Sequence, residues 1–461
     1  MDVAALSRIQ FAFTVGFHFI YPAITIGLAT VIAIVETFRW RTRKDVYDRL
    51  SIFLIELFAV TFVVGVVSGL VMEFEFGTNW SRFSSMVGYI FGAPLAAEGI
   101  FAFFHESAFV GLLLFGRNRI SSGVRWLASI VVCGGTLLSA FFIIVANSWM
   151  QTPSGYTEVT DGAGNLQRFQ LNDVLAAVFN PSTLTRFVHT VSACACVGAF
   201  LVMGIGAFYV LRKRHLDVAG VALRIGVVLA FVGSALMFVT GDNQSREVAT
   251  NQPVKFAAME GVMTTSGGVE LTIISIPPSA ENPHPIGIAI PNGLSLMQTF
   301  NANGVIPGIE NLTADPSHPN GDTSLWPNLP MTFLGFHMMV GIGSLMMLLM
   351  LFGAFFLIRR SIDKHRWWLF LAVCAIPLPI VAVELGWMTA EVGRQPWIVQ
   401  GLVKTNAVVS SGLPAEDVLI SLIGVILLYA LLFCLWLYIL VKEIRRGPAP
   451  AVAAEQSQGG K

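Results

Sequence analysis

Charged residues are scarce in this chain of 461 residues. Lys, Arg, Asp and Glu make up 12% of it, about half the share of an ordinary soluble domain. Hydrophobic residues make up 55%, and the mean hydropathy is +0.71. This composition excludes an ordinary soluble domain and indicates a polytopic helical membrane protein. The formal net charge of zero also argues against a nucleic-acid partner, which binds to a basic surface.

Cysteine is also sparse, and no cysteine stands in a pattern typical of a disulfide framework or a metal site. All five lie inside apolar runs and are interpreted as small buried hydrophobic residues: Cys133, Cys194, Cys196, Cys374 and Cys434. Cys194 and Cys196 are two apart on a predicted helix and therefore point to different faces. The first residues, MDVAALSRIQ, lack the basic region and cleavage site of a secretory signal peptide.

Long apolar runs are abundant and predict nine transmembrane helices. Each run is long enough to cross a bilayer, and they lie near residues 11–37, 52–74, 92–116, 126–148, 186–211, 221–240, 331–358, 367–390 and 417–441. Lys and Arg are concentrated in alternate connections, including the one that contains Arg117. The positive-inside rule then places the N-terminus in the periplasm and the C-terminus in the cytoplasm. The predicted fold class is therefore an all-α polytopic membrane protein of a bacterial inner membrane.

The predicted helices divide the chain into four parts. Residues 1–240 carry helices 1–6, and residues 331–446 carry helices 7–9. Residues 241–330 form a long periplasmic loop rich in Gly, Pro, Asn and Ser, and loops of that length are usually functional or disordered. Residues 447–461 read as a disordered cytoplasmic tail.

The stretch VELGWMTAEVGRQPW (383–397) places charges at the end of an apolar helix. Glu384 and Glu391 are seven residues apart and share a helix face with Trp387 between them. Arg394 is three residues past Glu391, close enough to form an ion pair. A charge in a membrane costs several kcal/mol, about 2.5–3.5 on insertion scales, unless it is paired or coordinated. An interfacial anchor with one ion pair is the simpler interpretation, and a ligand site is the other.

Other polar side chains lie at the same predicted depth, in the outer third of the membrane. They come from several helices and comprise His18, Glu98, His105, Glu106, His189, His337, Met338, Met339, Glu391 and Arg394. Each alone could be a satisfied core residue, but their confinement to one level is hard to explain by chance.

Imidazole, thioether and carboxylate groups together suit haem iron. A His and Met pair gives a six-coordinate haem for electron transfer, whereas a single His or a carboxylate leaves a position open for oxygen. Haem propionates need cationic partners, and Arg8, Arg186 and Arg394 lie at the required level.

The chain resembles subunit I of the cytochrome bd-type ubiquinol oxidases over nearly its whole length. The residues that carry the resemblance are LSRIQFAFTVGFHF (6–19), MEFEFGTNW (72–80), FGAPLAAEGIFAFFHES (91–107), SAFFIIVANSWMQTP (139–153), RFVHT (186–190), GDNQSREVATNQPVKFAAMEG (241–261), FHMMVG (336–341) and VELGWMTAEVGRQPW. The motifs GRQPW and FGTNW, in a chain of nine predicted helices, are highly specific.

The resemblance implies three haems. His189 and Met339 would be the axial ligands of a low-spin haem b, and Glu391 the ligand of a high-spin haem b. His18 would hold haem d, where oxygen is reduced, with haem b as the alternative at this position. Arg394 would bind a propionate, and Trp387 would lie between haems on the electron path; Arg8 is a further propionate candidate from its predicted level alone.

The resemblance also implies the sites of substrate and protons. Lys255 and Glu260, in QPVKFAAMEG, match the ubiquinol site of the family's periplasmic Q-loop, which corresponds to residues 241–330. Glu106 and Ser139 match a proton path from the cytoplasm, and Glu98 a partner or proton gate of haem d. Quinol oxidation outside and proton uptake from inside would generate a proton motive force without pumping.

Two positions depart from the best-known members of the family. His337 stands where these have Arg, and the Q-loop is short, which together resemble the cyanide-insensitive branch. His105 stands where an apolar residue is expected, and we interpret it as a buried, hydrogen-bonded side chain.

The sequence also leads to hypotheses about partner subunits and about two alternative functions. The resemblance implies a heterodimer with oxidase subunit II, and a small single-helix subunit in some members. An ion or solute transporter would be colourless, and a haem protein that only passes electrons onward would have six-coordinate spectra. Glu391 and the single His18 argue against the last, because each leaves an open iron position.

Overall fold

The computed structural model describes residues 2–116, 119–278 and 286–450. Arg117, which contributes to the predicted charge pattern, and residues 451–461 of the predicted tail lie outside these ranges. Residues 447–450 are described, and Arg49 donates a hydrogen bond to the Ala449 carbonyl oxygen at 3.4 Å.

Within the described residues, nine helical spans are long and apolar enough to cross a membrane, as the sequence predicts. Their bounds are Val3–Thr42 (α1), Asp45–Thr78 (α2), Ser81–Ala97 (α3) continued by Phe104–Phe115 (α4), Ser122–Gln151 (α5), Thr183–Arg212 (α7), Leu216–Asn251 (α8), Leu329–Ile358 (α12), Arg366–Cys374 (α13) continued by Leu378–Val392 (α14), and Ala415–Arg446 (α15). We call the end of the bundle that carries residues 252–328 the loop end, and the opposite end the basic end.

Short elements connect the spans at the loop end. The short helices are Val174–Val178 (α6), Pro253–Glu260 (α9), Gly293–Thr299 (α10) and Ile309–Leu312 (α11). The strands pair as four antiparallel two-stranded ribbons: Tyr156–Thr160 (β1) with Leu166–Leu171 (β2), Ser266–Gly267 (β3) with Val305–Ile306 (β6), Leu271–Ile276 (β4) with Ile286–Ile290 (β5), and Trp397–Val399 (β7) with Val403–Lys404 (β8). Single 3₁₀ turns cover Thr323–Leu325 and Thr405–Ala407 at the loop end and Ile362–Lys364 at the basic end.

Several helix ends extend beyond the sequence-based expectation, two of them by eleven residues, and one expected helix is broken. The third span begins at Ser81, eleven residues before the expected 92, and α8 ends at Asn251 instead of 240. The polar extension of α8 stays helical because its side chains bond one turn apart, as Arg246 does to Asp242 at 2.8 Å. The eighth span is broken between α13 and α14 at Pro377, since proline cannot donate the helical hydrogen bond.

The described residues of the 252–328 connection fold around a small core that they share with the adjoining ends of α8 and α12. Phe256 and Met259 of α9 pack with Leu294, Ile306 and Ile309, all of which are buried. This long connection is therefore a folded unit seated on the loop end of the helices.

The centre of the bundle is α1, which packs against α2, α5, α7 and α15. Gly27 of α1 and Gly198 of α7 meet at the crossing, where a Cβ on either would clash with the backbone of the other helix. Small residues at such crossings let two membrane helices approach closely.

The basic end contains a buried ion-pair network. Glu36 is fully buried and pairs with Arg39 at 2.7 Å and with Arg125 at 2.8 Å. Two cations around one carboxylate offset the cost of placing it inside the bundle.

Two sequence-based interpretations of burial are wrong. Cys194 and Cys196 are buried as expected and Cys133 partly so, but Cys374 and Cys434 are exposed; all five are free thiols. His105 is also exposed rather than buried, beside the Phe104 ring on the outward face of α4. Periodicity alone did not separate inward from outward faces, because both are apolar in a membrane helix.

The contact between α1 and α7 leads to a stability prediction. Gly198→Ala should lower the thermal midpoint of the purified protein and its yield, because overpacking costs about 1–3 kcal/mol even where side chains can move, and here the obstacle is backbone. Gly134→Ala is the matched control, since an added Cβ at Gly134 meets nothing within 4 Å. Equal midpoints for both variants, measured in the same detergent, would contradict the close crossing.

Candidate functional site

His18 lies on α1, turned toward α2. Its Nδ1 atom is 3.0 Å from Ser68 Oγ, and a Cβ added at Gly69 would lie 3.1 Å from its ring. The hydroxyl orients the ring and leaves Nε2 as the nitrogen for a metal. Gly69 provides the space in which the ring sits.

His189 has a similar setting on α7. Its Nδ1 atom is 3.1 Å from Thr240 Oγ1 of α8, and a Cβ at Gly241 would lie 3.6 Å from its ring. Two of the predicted histidine ligands thus have one nitrogen engaged by a hydroxyl on a neighbouring helix.

Met339 projects from α12 toward α14. A Cβ at Gly386 would lie 2.8 Å from its Sδ atom, so the glycine makes room for the thioether. Helix α7 packs on α8 and α14, and α12 packs on the same two helices. His189 and Met339 therefore come from helices of one cluster, as an axial pair requires.

Glu391, at the end of α14, is the most heavily bonded of the predicted ligands. Its carboxylate accepts hydrogen bonds from Asn147 at 2.9 Å and Gln151 at 3.1 Å, both on α5. It also pairs with Arg394, as the three-residue spacing predicts. The Nε and Nη1 atoms of Arg394 are buried without a partner among the described residues. Trp387 lies half-buried one turn deeper on α14.

Two further cations join this ion pair. Lys255 is buried and donates to Gln151 and, at 2.9 Å, to Gln252. Arg186 donates to Gln252 at 3.3 Å, and its Nε atom is buried without a partner among the described residues. We call Arg186, Lys255 and Arg394 the cation cluster. Burial, together with the Arg186 and Arg394 charges, holds the pKa of the Lys255 amine well below its usual range.

Of the three arginines proposed for propionates, the structure brings two into the cation cluster. Arg8 is exposed on α1 and is not part of it.

Glu98 stands at a local change of helix type. The third span changes from α-helix to π-helix over Glu98–Phe103, four residues after Pro94. π-helical turns within α-helices are frequent at functional sites. Ser139 Oγ of α5 donates to Glu98 Oε1 at 2.7 Å, so the structure places Ser139 with Glu98. Glu106, on α4, is buried.

Glu260 and Lys255 lie on different sides of α9. Glu260 borders a cleft of about 320 Å³ that is also lined by Glu270, Thr272 and Asn292, whereas Lys255 belongs to the cation cluster. Both carboxyl oxygens of Glu260 are buried without a partner among the described residues. Burial raises the pKa of Glu260 to about 8.

The structure places several side chains at the site that the sequence-based prediction does not include. The hydroxyls and amides that orient the ligands are Ser68, Thr240, Asn147, Gln151 and Gln252. The available signal is a polar residue inside or next to an apolar run. Glu384, which the sequence placed on the Glu391 face without a role, has a buried Oε1 atom without a partner in the described chain.

These residues fit haem better than a bare metal ion. No group of three or more His, Cys, Asp or Glu in the described chain could hold an ion alone. A porphyrin supplies four ligands of its own and needs one or two from the protein, as His18, His189, Met339 and Glu391 can provide. Its propionates would also satisfy the unpartnered guanidinium N–H groups of Arg186 and Arg394.

Comparisons with known proteins agree with this chemistry. The family model "Cytochrome bd terminal oxidase subunit I" matches residues 6–448. The chain is 36% identical to cytochrome bd-II ubiquinol oxidase subunit 1 of Escherichia coli (strain K12), over 99% of this chain and 98% of that protein. It is 34% identical to cytochrome bd ubiquinol oxidase subunit 1 of Bacillus subtilis (strain 168), over 97% and 94%.

A solved structure has the same fold. The bd oxidase from Geobacillus thermodenitrificans superimposes with a TM-score of 0.86 at 29% identity, covering 97% of this chain and 99% of that one. Family membership implies quinol oxidation coupled to oxygen reduction, with haem cofactors and a second subunit, in a bacterial inner membrane. The transporter hypothesis is thereby excluded. The chain belongs to the family of cytochrome bd terminal oxidase subunit I, a multi-pass quinol:oxygen oxidoreductase subunit.

Proposed function

We propose that this subunit oxidises ubiquinol at the periplasmic side and passes the electrons to oxygen through three haems. His189 and Met339 would hold the low-spin haem b, Glu391 the high-spin haem b, and His18 haem d or a haem b in its place. When bound, haem iron supplies one-electron chemistry and, where a position is open, a site for oxygen. The observation that carries this proposal is the buried cation cluster beside Glu391, with guanidinium N–H groups that lack partners in the described chain.

The protein groups around the haems have positioning roles. Ser68 and Thr240 would fix the imidazole tautomers of His18 and His189. Arg186 and Arg394 would bind propionates as charge-assisted donors. The predicted propionate contact of Arg8 and the predicted place of Trp387 between haems are part of the same proposal.

For quinol oxidation, we propose Glu260 as the proton acceptor. Quinol releases two protons with its two electrons, and a carboxyl whose pKa is near neutrality can take and release a proton. The cleft at Glu260 has room for a quinol headgroup and offers polar side chains. Because Lys255 lies on the other side of α9 from the Glu260 cleft, we propose that it would bind a haem propionate and would affect quinol binding only indirectly, by fixing the position of α9.

For oxygen reduction, the protons would come from the basic end, which the positive-inside rule places in the cytoplasm. Glu106, Ser139 and Glu98 are proposed as steps of that path, and the bond from Ser139 to Glu98 supplies one of its links. Electrons entering from outside and protons from inside would charge the membrane without a pump.

The partner proposal is a heterodimer with oxidase subunit II, joined in some forms by a small single-helix subunit. The helices α13, α14 and α15 leave large apolar side chains exposed, which lipid or partner helices would cover.

The first test is a pair of spectra of the purified complex. A low-spin b signal plus a far-red band that shifts with carbon monoxide would place haem d on His18. A b-type spectrum that still responds to carbon monoxide would place haem b there, and oxygen uptake that resists cyanide would support the resemblance to the insensitive branch. A purified complex that contains its haems but shows no quinol-dependent oxygen uptake would contradict the proposal.

The ligand role of Met339 has a matched control in its neighbour. Met339→Leu should abolish the six-coordinate low-spin spectrum, because leucine keeps the volume but cannot ligate iron. Met338→Leu, at a 52% exposed position one residue earlier, should leave that spectrum unchanged. Equal spectra for both variants would remove Met339 from the ligand set.

The base role of Glu260 predicts a pH dependence. The pKa of Glu260 is raised to about 8, so the carboxylate that accepts the proton becomes more populated as pH rises through 8. Quinol oxidation should therefore accelerate from pH 6 toward pH 8, and Glu260→Gln should lower kcat by about 10²-fold or more.

The control for that prediction is Glu158→Gln, which removes an exposed carboxylate from β1. It should keep both the rate and the pH profile of the parent complex. A Glu260→Gln variant with an unchanged profile would assign the proton acceptor to another group.

A further inference from the structure

Glu75, near the loop end of α2, is a buried carboxyl that the proposed mechanism does not use. It is 3% exposed. Thr14 Oγ1 of α1 donates to its Oε1 atom at 2.5 Å, and the Gln10 side chain lies against the same carboxyl. Its Oε2 atom is buried without a partner among the described residues. No cation of the described chain forms an ion pair with it, in contrast to Glu36 and Glu391.

The position of Glu75 connects it to His18. Thr14 is four residues before His18 on α1, one helical turn or about 6 Å along the axis. On α2, Ser68 contacts His18 and lies seven residues before Glu75, on the same face. A change in charge at His18 would therefore act on Glu75 across one to two helical turns of the bundle interior, where charges are weakly screened.

Polar side chains continue from Glu75 toward the surface. Gln10 accepts from Asn79 Nδ2 at 3.1 Å and donates to Ser421 Oγ of α15 at 2.9 Å. Ser421 is exposed at the loop end of α15. Hydroxyl and amide groups of this kind, together with intervening water, can conduct protons, so they provide a route between the surface and the Glu75 carboxyl.

Few other titratable groups among the described residues lie near Glu75 and Thr14. Glu384 of α14 faces α1 nearby, with its Oε2 atom 3.5 Å from the Cβ position of Gly16. Tyr429 of α15 faces it, and its ring stacks against Phe17 of α1. His18 of α1 lies one turn deeper. From the third span, Glu98 interacts with Glu73, which is exposed on another face of α2.

We propose that Glu75 takes up a proton from the loop-end surface when the haem held by His18 is reduced. One electron supplied by quinol would remove one unit of positive charge from the site that His18 would hold. One proton moves from water through the polar side chains to the Glu75 carboxylate, which becomes the acid. The buried site thus keeps its net charge, and electron arrival avoids the cost of an uncompensated charge in an apolar bundle. This inference rests on the proposed function, because it takes His18 as a haem ligand.

The first experiment is a redox titration of the carbon-monoxide-reactive haem in the purified complex between pH 6 and 9. The midpoint potential of the parent should fall as pH rises, because reduction is coupled to proton uptake. Glu75→Gln should reduce this slope by about half or more, since glutamine keeps the shape but cannot ionise. Glu75→Asp is the matched control that keeps a carboxyl and most of the slope. An unchanged slope in Glu75→Gln would overturn the inference.

The second experiment covers the case in which Glu75→Gln does not assemble. The reduced-minus-oxidised infrared spectrum should contain a carboxylic-acid C=O band that shifts in Thr14→Val, which removes the hydroxyl donor, and stays in place in Thr14→Ser. A spectrum whose carboxyl bands are the same in both Thr14 variants would also overturn the inference.

Failure of the two proposals can be told apart. If His18→Ala retains the carbon-monoxide-reactive haem, the haem assignment itself is wrong. If that haem depends on His18 but its potential ignores Glu75, only the present inference fails.

Discussion

The pairing of buried charge at the loop end is the constraint on which the site depends. The Glu391 carboxyl lies among Arg394 and the amides of Asn147 and Gln151, which offset the cost of placing it inside the bundle. The same Gln151 reaches Lys255, so one side chain of α5 joins the end of α14 to α9. The cation cluster, the folded loop and the helix ends are thus held in one arrangement, which leaves guanidinium N–H groups for an anionic ligand.

Carboxyl groups in this protein fall into two kinds with different chemistry. Glu36 and Glu391 are paired with arginine. Glu75, Glu98 and Glu260 lack such a partner among the described residues, and Glu75 and Glu98 are bonded to hydroxyls. A carboxyl without a paired cation can change its protonation state, so Glu75, Glu98 and Glu260 are suited to proton transfer. The arginine-paired Glu36 and Glu391 are suited to stabilising the fold or to binding a ligand.

The unpaired carboxyl groups lie in different parts of the fold. Quinol protons would leave at Glu260, where residues 252–328 form a cleft. The π-helical turn begins at Glu98, whose carboxyl accepts a hydrogen bond from Ser139 of α5 inside the apolar part of the bundle. Irregular backbone at such a depth is tolerated where protein or a ligand covers it.

The sequence by itself determined the membrane class and the nine spans of the described chain, and it singled out the candidate ligands, because apolar runs, basic connections and isolated polar residues are local signals. The spacing of Glu391 and Arg394 likewise determined their ion pair. Only the tertiary structure decided that Ser139 bonds Glu98, that Lys255 turns away from the Glu260 cleft, and that His105 faces outward. Those facts depend on which helix faces contact each other. In a membrane helix the lipid-facing and the buried faces are both apolar, so the sequence pattern does not distinguish them.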